Sequence, residues 1–140
     1  MNYKRIENKN DILSNDSLCV KMKLFIVEDD RIQSLILEIM VSKLGLQHIG
    51  TEASGENAVK QIVKNKPDIV LLDIMLKDSY NGIDVAREIK KVYEPVIIYI
   101  TGNSDFVHKS RAREYGFHDY ICKPVSIYKL KESIESIKVI

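Results

Sequence analysis

The chain has no tryptophan, only three prolines and two cysteines, and no surplus of charge of either sign among its 140 residues. Each shortage excludes something. Cys19 and Cys122 stand far apart, without metal-ligand spacing, so a disulfide scaffold or a thiolate zinc site is out of reach and both read as reduced cytoplasmic thiols. No apolar run approaches the roughly 18–20 residues that span a bilayer. The opening stretch "MNYKRIENKNDILSNDSLCVKMK" lacks the apolar centre of a signal peptide. With 21 Lys and Arg against 20 Asp and Glu, the formal charge of +1 gives no basis for binding nucleic acid through a basic surface. A soluble cytoplasmic domain with a sizeable core is the starting expectation.

What is present is a regular alternation. Residues 1–22 have no sustained periodicity and are expected to form a loosely ordered or edge-capping extension. From residue 23 to 140, short apolar runs recur: "LFIV" at 24, "IVLL" at 69, "VIIYI" at 96, "YI" at 120 and a weaker "LQHIG" at 46. Continuous Val- and Ile-rich runs suit strands covered on both faces, as in a parallel sheet. Between them lie helical stripes: Ile32, Leu35, Ile36, Ile39, Met40 and Leu44; Ala58, Val59, Ile62 and Val63 behind an N-cap at Ser54; Ile83, Ala86, Ile89 and Tyr93, stopped by Pro95; and Ile127, Leu130, Ile134 and Ile137. The stretch from Ser104 to Tyr115 has the poorest stripe. Five β-α units imply an α/β fold with right-handed crossovers and helices on both faces of the sheet. In such sheets functional residues gather beyond the carboxyl ends of the strands.

Placed on that frame, Glu28 and Asp29 end the first strand, Asp73 the third, Thr101 the fourth and Lys123 the fifth. Three carboxylates, a hydroxyl and an ammonium would converge on one edge. Taken singly, each has a plainer explanation: Asp30 as a helix N-cap, Asp73 as the opening of a turn, Lys123 before Pro124 as a solvated charge. Taken together they suit Mg²⁺, a hard cation that keeps several waters and accepts phosphate oxygens. Asp73, central in the sheet, is then the candidate nucleophile, since an aspartate can form an acyl phosphate whose oxygens Mg²⁺, Lys123 and Thr101 would neutralise. His48, His108 and His118 have no partner spacing and read as surface or strand residues.

From about residue 23 onward the chain resembles the receiver domain of two-component response regulators, chemotaxis-regulator-like in type. The matching pieces are "FIVEDD", "PDIVLLDIML" with "NGIDVAREIK", "VIIYITG" and "DYICKPV", in order. The resemblance implies a doubly wound, flavodoxin-like, five-stranded parallel sheet of order 2-1-3-4-5, an order that the general rule for such sheets itself exemplifies with this family. It implies Asp73 as phosphoacceptor; Asp29 as direct Mg²⁺ ligand, with Glu28 acting mainly through water and the Met75 carbonyl completing the set; and Thr101 as switch hydroxyl. Lys123 would pair with acid or phosphate, and Tyr120 would be the aromatic that follows Thr101 inward. A cis Lys123–Pro124 peptide is expected as well. One departure stands out: the family usually has proline four residues after the phosphoacceptor, where this chain has Lys77, and "DIMLKDSYNG" is one residue longer than the commonest loop.

The expected function is a signalling switch that catalyses its own phosphorylation and slow dephosphorylation. It would be charged by a sensor histidine kinase or a phosphotransfer protein, and it would act through a downstream protein partner, with a phosphorylation-dependent homodimer also open. No direct nucleic-acid or membrane contact is expected. After Lys123 there is room for about one helix and none for an effector domain, so a stand-alone receiver and a segment of a longer regulator both remain open, as does a role in phosphate relay. Two rivals weaken on the residues. A haloacid-dehalogenase-type phosphatase needs a second Asp two residues after the first-strand nucleophile, where Arg31 stands. A pseudo-receiver binding module would not need the full acid, Thr and Lys set.

Overall fold

Apolar side chains at successive positions of a strand point to opposite faces, so a buried run must be covered twice. The computed structural model, which describes residues 21–77, 80–102 and 106–137, shows how that is met. Strands β1 (Lys23–Val27), β2 (Gln47–Glu52), β3 (Ile69–Asp73), β4 (Val96–Thr101) and β5 (Asp119–Cys122) alternate with helices α1 (Arg31–Lys43), α2 (Gly55–Asn65), α3 (Gly82–Lys90), α4 (Phe106–Tyr115) and α5 (Ile127–Glu135). The sheet order is β2-β1-β3-β4-β5 and every pairing is parallel. The expected order 2-1-3-4-5 is the one observed. No helix among the described residues is long and apolar enough to cross a membrane. The expectations for residues 1–20, Cys19 among them, lie outside the described residues.

The alternation divides the core in two. Leu24, Ile26, Ile69, Leu71, Ile98 and Ile100 face Leu37, Val41, Leu130 and Ile134 from α1 and α5. Phe25, Val27, Val70, Leu72, Ile97 and Tyr99 face Ala58, Ile62, Ile83, Ala86, Ile89 and Ala112 from α2, α3 and α4. Each fully buried aliphatic side chain contributes about 1.5–3 kcal/mol. Met22, ahead of β1, joins the first of these cores and is buried. On β2, Gly50 lets the Phe25 ring lie against the backbone, since a Cβ there would sit 2.6 Å from Phe25 Cε2.

Caps and stops follow local chemistry. Asp30 caps α1 by accepting from the Ile32 and Gln33 amides, Ser54 caps α2, and Asn81 with Asp84 forms a capping box on α3. Helix α3 ends at Lys90, before the expected stop at Pro95, and Tyr93 packs on the core from beyond its end.

One helix is rotated from its expected setting. The stripe Ile32, Leu35, Ile36 and Ile39 was expected to face the core; the structure leaves it in solvent, with Ile32 71 % and Ile39 55 % exposed. Of the expected stripe, Leu44 is buried and Met40 packs partly on the core, while Ser34, Leu37 and Val41 take the buried places of the others. Both sets keep helical spacing, because α1 is apolar nearly all round, and sequence periodicity cannot choose a phase. The choice comes from packing on β1 and β3, where Leu37 and Val41 meet Leu24, Ile26, Ile69 and Leu71. Accordingly, Leu37→Ala is expected to destabilise the domain by about 2–5 kcal/mol in urea unfolding, whereas Ile36→Ser stays within about 0.5 kcal/mol. The opposite ranking would restore the other phase.

Candidate phosphoacceptor site

Parallel strands of matched register end at one edge, so the residues just beyond each strand meet those beyond its neighbours. Val27 pairs with Leu72, Asp73 with Ile100, and Thr101 with Cys122. Glu28, Asp29, Asp73 and Lys123 are thereby brought to one open pocket of about 280 Å³, lined also by Asp30, Gln33, Met75, Lys77 and Gly102. Its floor is deep: Glu28 is 3 % and Asp73 5 % exposed.

Lys123 organises these charges. Its ammonium donates to Glu28 Oε1 at 2.6 Å and to Asp73 Oδ2 at 3.0 Å. The Lys123–Pro124 peptide is cis, and the Lys123 amide donates to the Thr101 carbonyl at 2.7 Å. The second Asp73 oxygen, Oδ1, accepts from the Met75 amide at 3.0 Å. Asp29 Oδ2 accepts from the Lys77 amide at 2.7 Å. Glu28 Oε2 accepts from the Asp30 amide at 3.2 Å.

The protonation equilibria reflect the crowding. Burial pushes the Glu28 carboxyl up to about 7; the Lys123 hydrogen bond works against that rise, and the nearby Asp73 carboxylate adds to it. For Lys123, burial works downward, but the Glu28 hydrogen bond and the Asp73 charge outweigh it and hold the ammonium above its ordinary range. The site carries more negative charge than one lysine balances.

One oxygen from each of Glu28, Asp29 and Asp73 can be chosen so that all lie within 4.8 Å of one another. All three donors are hard oxygens, as Mg²⁺ requires. Met75 lines the same pocket. The residues present therefore fit the cation.

Thr101 and Tyr120 sit behind this pocket rather than on its wall. Thr101 is buried at the end of β4. The Tyr120 ring lies 6.0 Å from Tyr99 and 5.8 Å from Phe117, with Lys109 Nζ 5.2 Å above it. His48 is exposed on β2, and His118 bonds the Ser133 carbonyl and Ser136. Gln33 and Gly102 border the pocket without having been expected there, and Asp30, expected as a cap alone, borders it as well. Gln33 lies one helical step beyond the cap, a position that spacing from Asp30 could have flagged.

A cavity edge of this composition on this topology defines a class, and comparison with known proteins agrees. The sequence model of the response regulator receiver domain matches residues 24–135. The chain is 34 % identical to the signal receiver domain of a modulated diguanylate cyclase from Desulfovibrio desulfuricans G20, over 83 % of this chain and 92 % of that one, with a TM-score of 0.78. It superposes on the CheX–CheY–BeF3–Mg complex from Borrelia burgdorferi at 23 % identity and a TM-score of 0.81, covering 92 % and 97 % of the two chains. The N-terminal domain of a response regulator/sensory box/GGDEF 3-domain protein from Carboxydothermus hydrogenoformans matches at 24 % identity and 0.74, covering 81 % and 90 %. The chain belongs to the response regulator receiver domain family, whose members signal through phosphorylation.

The raised Glu28 carboxyl has a thermodynamic consequence. The folded state holds a proton that the unfolded chain has released, so its stabilising contribution is complete below pH 4.5 and is lost as pH rises through about 7. In metal-free buffer, chemical denaturation should show Glu28→Gln gaining stability relative to the wild type as pH rises from 5 to 8. An unchanged difference across that range would contradict the assignment.

Proposed function

We propose that the chain is a phosphorylation-activated switch whose Asp73 takes a phosphoryl group, in a Mg²⁺-dependent reaction, from the phosphohistidine of a sensor histidine kinase or a phosphotransfer protein. The observation that carries the reading is the Lys123 ammonium bound at once to Glu28 and Asp73, at an open pocket that also holds Asp29. A solvated strand-end lysine would have no reason to be drawn back over two buried acids.

In the transfer, an Asp73 carboxylate oxygen forms a bond to phosphorus as the phosphorus–nitrogen bond of the donor breaks. The bonding pair stays with the imidazole, which takes a proton from solvent. Glu28, Asp29, Asp73 and the Met75 carbonyl would hold Mg²⁺, whose charge offsets that of the phosphoryl oxygens. The Lys123 ammonium is already in place to balance the charge that arrives. The Met75 amide, bonded to Asp73 Oδ1, fixes the plane of the carboxylate. The Thr101 hydroxyl then turns toward the phosphoryl group and the Tyr120 ring takes up the space behind it, which changes the surface of α4 and β5. Ala112 is the one α4 residue buried in the core among the described side chains, so this helix is lightly held.

The exposed side of α1 supplies the docking surface. Ile32, Leu35, Ile36 and Ile39 form an apolar stripe that reaches the pocket through Asp30 and Gln33. A donor that must bring a phosphohistidine to Asp73 would seat an apolar helical face there. The switch works in the cytoplasm, where ATP charges the kinase.

Incubation with acetyl phosphate and Mg²⁺ is expected to add one acid-stable, base-labile phosphoryl group, read by intact-mass spectrometry, and Asp73→Asn to abolish it. Ile36→Asp should slow transfer from a phosphohistidine donor by about tenfold or more and leave acetyl phosphate labelling unchanged. Equal labelling of Asp73→Asn at the same site would overturn the nucleophile, and no labelling of the wild type would leave a binding module.

A further inference from the structure

The segment after Asp73 alternates. Ile74 and Leu76 are buried, at 0 % and 8 % exposed, and belong to the α2–α3 side of the core, whereas Met75 and Lys77 are exposed and line the pocket. The Ile74 carbonyl is doubly engaged, accepting from the Leu76 amide at 3.1 Å and the Gly82 amide at 2.8 Å. Gly82 packs so closely that a Cβ would stand 2.2 Å from the Asp73 carbonyl oxygen. With the inward residues pinned in this way, the two outward amides both point at site carboxylates: Met75 at Asp73 Oδ1, 3.0 Å, and Lys77 at Asp29 Oδ2, 2.7 Å.

The second of these bonds depends on what residue 77 is. A proline has no amide hydrogen and could not make it, and proline is what the family pattern usually carries at that place. Asp29 is half-buried, and its hydrogen bond to this loop spans 48 positions of sequence. An amide bonded to a carboxylate is a charge-assisted contact that orients the group, and hydrogen bonds made to a metal's ligands typically carry about 10–100-fold in metal affinity.

We propose that the Lys77 backbone amide is a positioning group for the divalent-cation site: it holds Asp29 in its ligating orientation and couples cation binding to the β3–α3 loop. This inference rests on the reading of the pocket as a Mg²⁺ site. The Lys77 side chain is not required. Its charge at the pocket rim opposes a cation, so residue 77 acts through its main chain.

The test is a Mg²⁺ titration of the full chain without phosphodonor, followed through the backbone amide resonances of residues 28–30. Lys77→Pro, which deletes the donor, is expected to weaken Mg²⁺ binding by roughly 10–100-fold; Lys77→Ala, which keeps it, should bind at least as tightly as the wild type. Hydrogen exchange of the Lys77 amide in the metal-free protein is the companion measurement and needs no proline variant. It should be slow in the wild type and fast in Asp29→Ala. If the wild type itself fails to bind Mg²⁺, the metal reading of the pocket falls. If the wild type binds, the inference alone is overturned by Lys77→Pro binding within about twofold of it, by Lys77→Ala weakening as much as Lys77→Pro, or by Lys77 exchange that Asp29→Ala leaves unchanged.

Discussion

Two buried carboxylates at the end of a parallel sheet repel each other and resist ionisation, and a fold that places them there must supply positive charge at the same spot. The Lys123 ammonium does this from beyond β5, separated by two strands from β1 and by one from β3, 95 positions from Glu28 and 50 from Asp73. Much of the rest of the edge depends on it. The Glu28 carboxyl, deeper and shared with Asp73, remains raised in spite of the lysine. Asp29, nearer the solvent, is left to a backbone amide. Glu28, Asp29 and Asp73 together form an acidic group whose oxygens lie close enough to hold a metal ion.

The acids and the aromatic cluster lie on different parts of the sheet. Strands β1 and β3, which bear the acids, are central and buried on both faces. Strand β5 and helix α4 lie at the periphery, where the Tyr99–Phe117–Tyr120 aromatic group meets Lys109. The Tyr99 hydroxyl is buried without a hydrogen-bond partner among the described residues, which costs about 1–3 kcal/mol.

The loop after Asp73 joins chemistry to surface. Its inward residues are core, its outward amides grip Asp73 and Asp29, and its far end starts α3 through the Asn81–Asp84 capping box. Both carboxylates are thus tied to the main chain of this segment. Asp30 and Gln33, at the start of α1, line the same pocket, and the exposed apolar stripe of that helix begins beside them at Ile32.

The α/β alternation and the gathering of Glu28, Asp29, Asp73, Thr101 and Lys123 at one edge were legible in the amino-acid pattern, and the strand order in the resemblance that pattern carries. Continuous apolar runs identify strands buried on both faces, and parallel strands carry their final residues to the same side. The Asp30 and Ser54 caps were legible too, because capping is local chemistry. Tertiary structure decided the rest. The phase of α1 could not be read, since Ile36 and Leu37 are equally apolar and only packing on β1 and β3 selects which is buried. The substitution at Lys77 was visible as a departure, but its consequence was not, because a main-chain hydrogen bond to a residue 48 positions away leaves no trace in side-chain pattern. Long-range polar contacts of that kind are set by how loops settle on a finished core, and no periodicity records them.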